Sequence, residues 1–461
     1  MQAHIPRLLV AAPGSGSGKT SVVCGMLRAL AARGLCLRAA KCGPDYLDPL
    51  FTERVLNTPS CNLDPFLAGP ELVRELAATQ GQGADLLLIE GVMGYYDGIA
   101  HTHESSSYDV ARITNTPVVL VVDARGKALS VAAEVRGFLE FRAPSQIAGV
   151  ILNHVSEGYY PRLRSLVESE AGVPVLGYLP HLEEAALPSR HLGLVRPAEV
   201  EDLERRLDAL ERVVRKTVDL DALLDVARQA PALAYEPQSL PPAVANSPVI
   251  AVARDEAFCF YYHSTLRLLE QLGARLAFFS PLRDACLPAG TCGLYLGGGY
   301  PELHARKLSG NESMREGIRA SIAAGMPTIA ECGGFLYLHG TLEDKDRHPW
   351  PMVSALEGSA FATSRLGTFG YATLTAKHDS LLCDAGATLA AHEFHYWGNT
   401  NAGDSFCAQK PYAAKTWDCV IATPTLHAGF PHLYLRSAPQ AALRFVHACA
   451  AFGKARKENA L

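Results

Sequence analysis

Two segments of this chain carry residue types and spacings that do chemistry. The first is Ala11-Ala12-Pro13-Gly14-Ser15-Gly16-Ser17-Gly18-Lys19-Thr20, which follows the apolar run Leu8 to Ala12 and leads into the helical pattern Val22 to Ala32. Glycines let backbone N–H groups turn toward phosphate oxygens, a lysine brings a cation to the β and γ phosphates, and a threonine hydroxyl can ligate Mg²⁺. Gly16, Ser17, Gly18, Lys19, Thr20 and Ser21 are therefore the expected nucleotide contacts, with Pro13 standing where the common motif has its first glycine. The second segment is Ala330-Glu331-Cys332-Gly333-Gly334-Phe335, placed after the apolar Pro327 to Ala330 and before the helical Phe335 to His339. A strand, a tight glycine turn and a helix N-terminus form the layout in which a cysteine projects as an activated nucleophile.

Further candidates lie around both segments. Lys41-Cys42-Gly43-Pro44-Asp45-Tyr46-Leu47-Asp48-Pro49 sets a lysine and two carboxylates in a proline-bounded loop, and Glu90 ends the apolar run Leu86 to Ile89. A carboxylate at the C-terminal end of a central strand faces the ligand crevice and suits Mg²⁺. Asp97, in a glycine-flanked loop, is the next acidic candidate. Leu296-Gly297-Gly298-Gly299-Tyr300 is a strand followed by three glycines, whose backbone donors could face an oxyanion. His392-Glu393-Phe394-His395 resembles a zinc motif only superficially, because its histidines are three apart rather than the four that a helical zinc pair needs.

These residues need elements to position them. At 461 residues the chain exceeds the roughly 250–300 at which one hydrophobic core stops growing, so two domains are expected. Apolar runs of strand length alternate with helical stretches through Leu8 to Ala12, Leu86 to Ile89, Val118 to Val122, Ile147 to Leu152 and Val175 to Leu179, the pattern of a parallel sheet with helical crossovers. A charged helical stretch from Ala198 to Gln229 then gives way to a proline-rich passage. After it a second α/β series opens at Val249 to Ala253 and continues through Leu276 to Phe279, Gly293 to Leu296 and Thr328 to Ala330. The expected division is 1–229, a linker at 230–247, and 248–461.

Composition narrows the class. No apolar run approaches the roughly 20 residues a membrane helix needs, and the start of the chain is too short in apolar residues for a secretion signal. The 12 cysteines form no CxxC pair, which argues against a structural zinc site and a disulfide framework and for a cytoplasmic protein. A net charge of −5 with interspersed basic residues provides no nucleic-acid footprint. The expected partners are small molecules, with no nucleic acid and no membrane, and the oligomeric state is left open.

Taken together, the phosphate loop, the Lys41 to Pro49 loop, Glu90-Gly91-Val92-Met93-Gly94-Tyr95-Tyr96-Asp97-Gly98 and Leu187-Pro188-Ser189-Arg190-His191-Leu192-Gly193-Leu194 resemble the cobyrinate a,c-diamide synthase family over nearly the whole chain. The nucleotide half is more distantly similar to dethiobiotin synthetase. The resemblance implies a P-loop synthetase domain joined to a class I glutamine amidotransferase domain, both α/β. It implies Thr20, Asp45 and Glu90 as Mg²⁺ ligands, Lys19 and Lys41 as phosphate-binding cations and Asn153 as an adenine contact; Asp97, from its loop, is a further catalytic candidate. Tyr46, Leu47 and Asp48 become tentative substrate contacts, and Tyr95 and Tyr96 aromatic residues that could meet a macrocycle. In the other half it implies Cys332 as nucleophile, His432 in Gly429-Phe430-Pro431-His432-Leu433-Tyr434 as its base, and Gly298, Gly299 and Gly333 as the oxyanion hole. Many relatives have a second histidine where this chain has Tyr434, so the group that orients His432 is not given. ATP and L-glutamine would be co-substrates, a corrin tetrapyrrole the acceptor, and ammonia would pass between the domains. Nickel-sirohydrochlorin and hydrogenobyrinate are alternative acceptors for the same chemistry. A P-loop partitioning ATPase with a vestigial second domain is the reading from another class, and the intact Cys332 and His432 motifs speak against it.

Overall fold

The computed structural model describes residues 1–461 except 186, 188, 191, 192, 195, 365 and 459–461. Pro188, His191 and Leu192 of the Leu187 to Leu194 motif therefore lie outside the described residues. The chain divides into two compact units, Met1–Gln238 and Ser239–Leu461. The division falls inside the 230–247 stretch, and Leu233–Ala234 pairs with Gln2–Ala3 at the start of the chain. No helix among the described residues is long and apolar enough to cross a membrane.

The first unit is built on a seven-stranded sheet in the order Cys61–Leu63, Leu37–Cys42, Leu86–Glu90, Arg7–Ala11, Val118–Asp123, Ile147–Asn153, Val175–Leu179. Every neighbouring pair is parallel. Helices cover such a sheet on both faces, which explains why Leu8 to Ala11 and Leu86 to Ile89 read as unbroken apolar runs and are fully buried. Each leucine or valine so buried contributes about 1.5–3 kcal/mol. Arg7 is also fully buried, donating to the carbonyls of Ile5, Thr114, Asn115 and Pro231 and to the Thr116 hydroxyl. Burial lowers its pKa to about 10. The sheet places the C-terminal ends of Arg7–Ala11, Leu37–Cys42 and Leu86–Glu90 side by side, so the loops that follow them share one crevice.

The second unit has a six-stranded sheet in the order Arg275–Phe279, Val249–Ala253, Thr291–Leu296, Thr328–Glu331, Leu426–Gly429, Ile421–Ala422. The first five strands are parallel and the edge strand is antiparallel. A five-stranded antiparallel sheet adds Thr416–Cys419, Phe406–Gln409, Phe369–Ala376, Thr388–Phe394 and His432–Leu433, and a four-stranded sheet runs from Pro349–Pro351 to Trp397–Asn399. The strand Thr328–Glu331 lies inside the parallel sheet, with all four residues buried, and ends at Cys332.

Candidate active site

In the first unit, the turn from strand Arg7–Ala11 into helix Lys19–Ala31 is held by backbone shapes that favour glycine. Gly16 and Gly18 have φ of 77° and 90°, and Gly18 caps the helix. A Cβ on Gly18 would stand 2.4 Å from Asn153 Nδ2. The Asn153 amide donates to the Ser17 carbonyl at 2.9 Å, and its oxygen accepts from the His154 N–H at 3.0 Å. Both ends of this side chain are thus engaged within the protein, where it fastens the loop. The Ser17 hydroxyl donates to the Gly14 carbonyl at 2.9 Å, and Ser21 lies on the first turn of the helix.

Lys19 Nζ donates to the carbonyls of Gly14 and Met93 at 3.2 and 2.6 Å. Burial, together with the like charge of Lys41, lowers its pKa to about 8 against the pull of Glu90, Asp48 and Asp97. Met93 has a φ of 49°, a strained conformation for a residue with a side chain, in the loop that also carries Asp97. Asp97 closes its own turn, Oδ2 accepting from the Gly94 N–H at 3.1 Å.

Behind Lys19 lies a buried charge network. Lys41 Nζ is 2.5 Å from Asp48 Oδ2 and 3.3 Å from Glu90 Oε1, and donates to the Gly91 carbonyl at 2.9 Å. Burial opposes the Lys41 charge, but Asp48, Glu90 and Asp45 reverse that and hold it well above its usual value. Burial would likewise raise Asp48, yet Lys41 keeps it lowered. Burial and the Asp48 charge push Asp45 up to about 7. Glu90 is raised by burial and by Asp48, with Lys41 opposing. The Thr20 hydroxyl donates to Glu90 Oε1 at 2.5 Å, while Glu90 Oε2 is buried with no hydrogen-bond partner among the described residues. An orphaned carboxylate oxygen in such a place costs about 1–3 kcal/mol unless something binds it. The structure thus joins Thr20 to Glu90, and holds Asp45 at the start of helix Leu47–Leu56, where its Oδ1 accepts from the Leu47 N–H at 2.8 Å.

The residues expected to face a substrate divide. Tyr46 is partly exposed at the cap of helix Leu47–Leu56. Asp48 is committed to Lys41. Leu47 is only 6% exposed and packs inside. Tyr95 is fully buried with its hydroxyl on the Ser145 carbonyl at 2.6 Å, and the Tyr96 hydroxyl donates to Phe138 at 2.7 Å. The Tyr95 ring meets Tyr108 edge-on and the Tyr96 ring stacks on Phe138, as loop packing.

In the second unit, Cys332 takes φ 47° and ψ −103° between strand Thr328–Glu331 and helix Gly333–Leu338. Its N–H donates to the Gly429 carbonyl at 2.8 Å, and its carbonyl accepts from Leu336 at 2.9 Å. Such a strained turn survives because the surroundings dictate it, and it aims the thiol off the strand end. A Cβ on Gly334 would lie 2.2 Å from the Leu296 carbonyl, one on Gly333 3.0 Å from the Gly299 nitrogen, and one on Gly298 2.4 Å from His432 Cε1. The three proposed oxyanion glycines and the imidazole therefore crowd around Cys332.

His432 is buried on the short strand His432–Leu433. Burial alone would lower its pKa, but the Cys332 and Glu331 side chains raise it to about 10, which favours an imidazolium beside the thiol. Glu331 was not among the expected site residues. It is 1% exposed, its Oε2 lies 3.8 Å from His432 Nδ1, its Oε1 accepts from the Leu433 N–H at 3.2 Å, and Oε2 accepts from the Tyr295 hydroxyl at 3.3 Å. The signal that could have found it is an acid ending the buried strand Thr-Ile-Ala-Glu, directly before Cys332. Tyr434, in the position of the second histidine, accepts from the Ser264 hydroxyl at 2.9 Å and packs edge-on against Tyr262. His395 pairs with Glu393 at 2.9 Å and stacks on Phe430, whereas His392 lies opposite His432 in strand register. Among the described residues no group of three or more His, Cys, Asp or Glu side chains could hold a metal ion.

Comparison with known proteins agrees with this division of labour. Residues 8–195 match the CobQ/CobB/MinD/ParA nucleotide binding domain, and residues 249–438 match the CobB/CobQ-like glutamine amidotransferase domain. A cobyrinate a,c-diamide synthase of Caldanaerobacter subterraneus subsp. tengcongensis is 37% identical over 97% of this chain and 99% of its own length. Those of Dehalococcoides mccartyi and Priestia megaterium are 36% and 35% identical, covering 96% and 98% of this chain and 98% and 99% of their own. Likeness at that level along both halves, with a phosphate loop in one and a cysteine elbow in the other, means that the chain belongs to the cobyrinate a,c-diamide synthase family.

Proposed function

We propose that this chain amidates the a and c carboxylates of cobyrinate, taking ammonia from glutamine and driving the reaction with ATP. The observation that carries the proposal is the pairing of Cys332 with a buried, charge-favoured His432 in a chain whose other half sets Lys19, Lys41, Thr20 and Glu90 behind a phosphate loop. The acceptor is taken from the activity named for the relatives.

In this reading the Cys332 thiolate attacks the glutamine carboxamide carbon, and the N–H groups of Gly299 and Gly333, with the Gly298 turn, face the oxyanion that forms. His432 gives its proton to the departing nitrogen, and ammonia leaves. A water that returns a proton to His432 then opens the thioester, releasing glutamate and the thiolate. In the other half the acceptor carboxylate takes the γ-phosphoryl group of ATP, becoming an acyl phosphate from which ammonia displaces phosphate. Lys19 leaves the Met93 carbonyl for the phosphates, and Lys41 holds Glu90 and Asp48 in place. Glu90 and Thr20 fit a hard divalent cation, since they bring a hydroxyl and an orphaned carboxylate oxygen together, with Asp45 a further candidate. Mg²⁺ there would neutralise charge on the transferred group.

The test is a mass measurement on purified protein with ATP, Mg²⁺, glutamine and cobyrinate, each carboxylate turned to amide lowering the product by about one mass unit. A product two steps lighter supports the proposal. An unchanged corrin with glutamine still hydrolysed would move the acceptor to nickel-sirohydrochlorin or hydrogenobyrinate, and no glutamine hydrolysis would remove the proposal altogether.

A further inference from the structure

We infer that Glu331, the residue before the nucleophile, is the positioning residue that holds His432 in its working orientation and stabilises its charged form. The inference rests on reading Cys332 and His432 as the glutamine-hydrolysing pair, and it names a group which that reading leaves open.

A base that shuttles a proton needs something to fix its ring and to favour the imidazolium at the moment it forms. In this chain Tyr434, two residues beyond His432, is turned to Ser264 and Tyr262. The carboxylate beside His432 arrives instead from the neighbouring parallel sheet, 101 residues earlier in the chain, with Oε2 3.8 Å from Nδ1. Its placement is over-determined. The Leu433 N–H holds one oxygen and the Tyr295 hydroxyl the other, so the carboxylate is fixed from the strand that bears His432 and from the strand on the opposite side. Both donors are neutral. A carboxylate 1% exposed is costly unless a cation meets it, and His432 is the cation within reach among the described residues.

The other titratable groups facing this pair do not take that part. Cys332, from the start of the helix, is the reacting group itself. His392, opposite on the strand Thr388–Phe394, is pushed down to about 3 by burial, His432 and Lys410, and stays neutral. Tyr261 and Tyr295 are phenols that burial raises well above their usual value. A separation of 3.8 Å is an ion-pair distance that can shorten to a hydrogen bond as the imidazolium forms, and apo geometry of this kind commonly tightens in the working complex.

The experiment compares the parent chain, Glu331→Gln and Tyr295→Phe for glutamine hydrolysis across pH, with ammonium-driven amidation as the check that the fold and the other half are intact. Glu331→Gln keeps the shape and loses the charge. It is expected to lower kcat for glutamine hydrolysis about 10²-fold or more, with KM nearly unchanged, and to narrow the pH profile from its alkaline side. The alkaline limb moves down because the imidazolium, without the carboxylate, deprotonates sooner. Tyr295→Phe frees Oε2 from its hydroxyl while leaving the charge, so its alkaline limb moves to higher pH. A Glu331→Gln profile that is merely lower at unchanged width, or one unchanged in kcat, would overturn the inference, as would a Tyr295→Phe profile superimposable on the parent. Cys332→Ala is run beside them: if it still hydrolyses glutamine, the underlying reading of the pair fails, whatever Glu331 does.

Discussion

At the scale of single residues, Lys41 ties together the buried charges of the first unit. Its ammonium is enclosed by Asp48, Glu90 and the Gly91 carbonyl, with side-chain exposure of 3%, 16% and 1% for Lys41, Asp48 and Glu90. Removing one partner of a buried ion network strands the rest. Lys41→Met is therefore expected to lower stability by about 3–5 kcal/mol, read as the urea midpoint of the parent and the variant. Glu90→Gln is the gentler probe, since it can still accept the Thr20 hydroxyl while losing the charge. In the proposed reaction it should cut ATP-dependent amidation about 10²-fold or more, the loss typical of one electrostatic group at a transferring centre, while glutamine hydrolysis stays at the parent rate. Amidation at the parent rate would place Glu90 outside the chemistry.

At the scale of elements, both proposed centres sit where a buried parallel strand ends, because a strand end fixes a side chain while leaving its tip in a crevice. The parallel strands were legible in the sequence for a physical reason: burial on both faces makes each an unbroken apolar run, as in Leu86 to Ile89 and Val118 to Val122. The antiparallel pair Phe369–Ala376 and Thr388–Phe394 was not, since its alternation is carried by small residues such as Ala372, Thr373, Ala390 and Ala391 whose contrast is weak. The glycine turns beside Cys332 and before Lys19 were legible because such turns are local. The closeness of Glu331 to His432 was not, because it depends on a histidine 101 residues away that only the fold brings near, and neither was the burial of Leu47, because its place in the motif says nothing of which way it packs. Strand Leu426–Gly429 offers a test of its own. His427 is 1% exposed with neither ring nitrogen bonded among the described residues, and burial lowers its pKa to about 4. A depressed histidine contributes stability above its usual pKa of 6.5 that is lost as pH falls through 4. Between pH 7 and 5 that loss is roughly 2 kcal/mol at about 1.4 kcal/mol per pH unit. His427→Leu should lose correspondingly less stability than the parent over that interval in urea titrations. Equal losses would mean that His427 finds a partner when it is charged. The strand matters to chemistry because the Gly429 carbonyl receives the Cys332 N–H.

At the scale of the whole molecule, two compact units, Met1–Gln238 and Ser239–Leu461, each carry a complete set of groups for one half of the proposed reaction. The groups that would release ammonia lie in the second unit, and those that would activate a carboxylate lie in the first. Nothing in the acyl-phosphate step requires the thiol, so the two activities should separate by substitution. Cys332→Ala removes the nucleophile while leaving a side chain that the strained turn tolerates as well as cysteine. Glutamine-dependent amidation is expected to fall by about 10³-fold or more, the scale on which enzymes lose rate with a covalent nucleophile. Amidation supplied with an ammonium salt should continue at the parent rate, because free ammonia at mildly alkaline pH can meet the acyl phosphate directly. Product mass under the two nitrogen sources reads both results from one preparation. If Cys332→Ala keeps its fold, judged by an unchanged urea midpoint, and still loses ammonium-driven amidation, the second unit does more than release ammonia and the division of labour proposed for this chain is wrong.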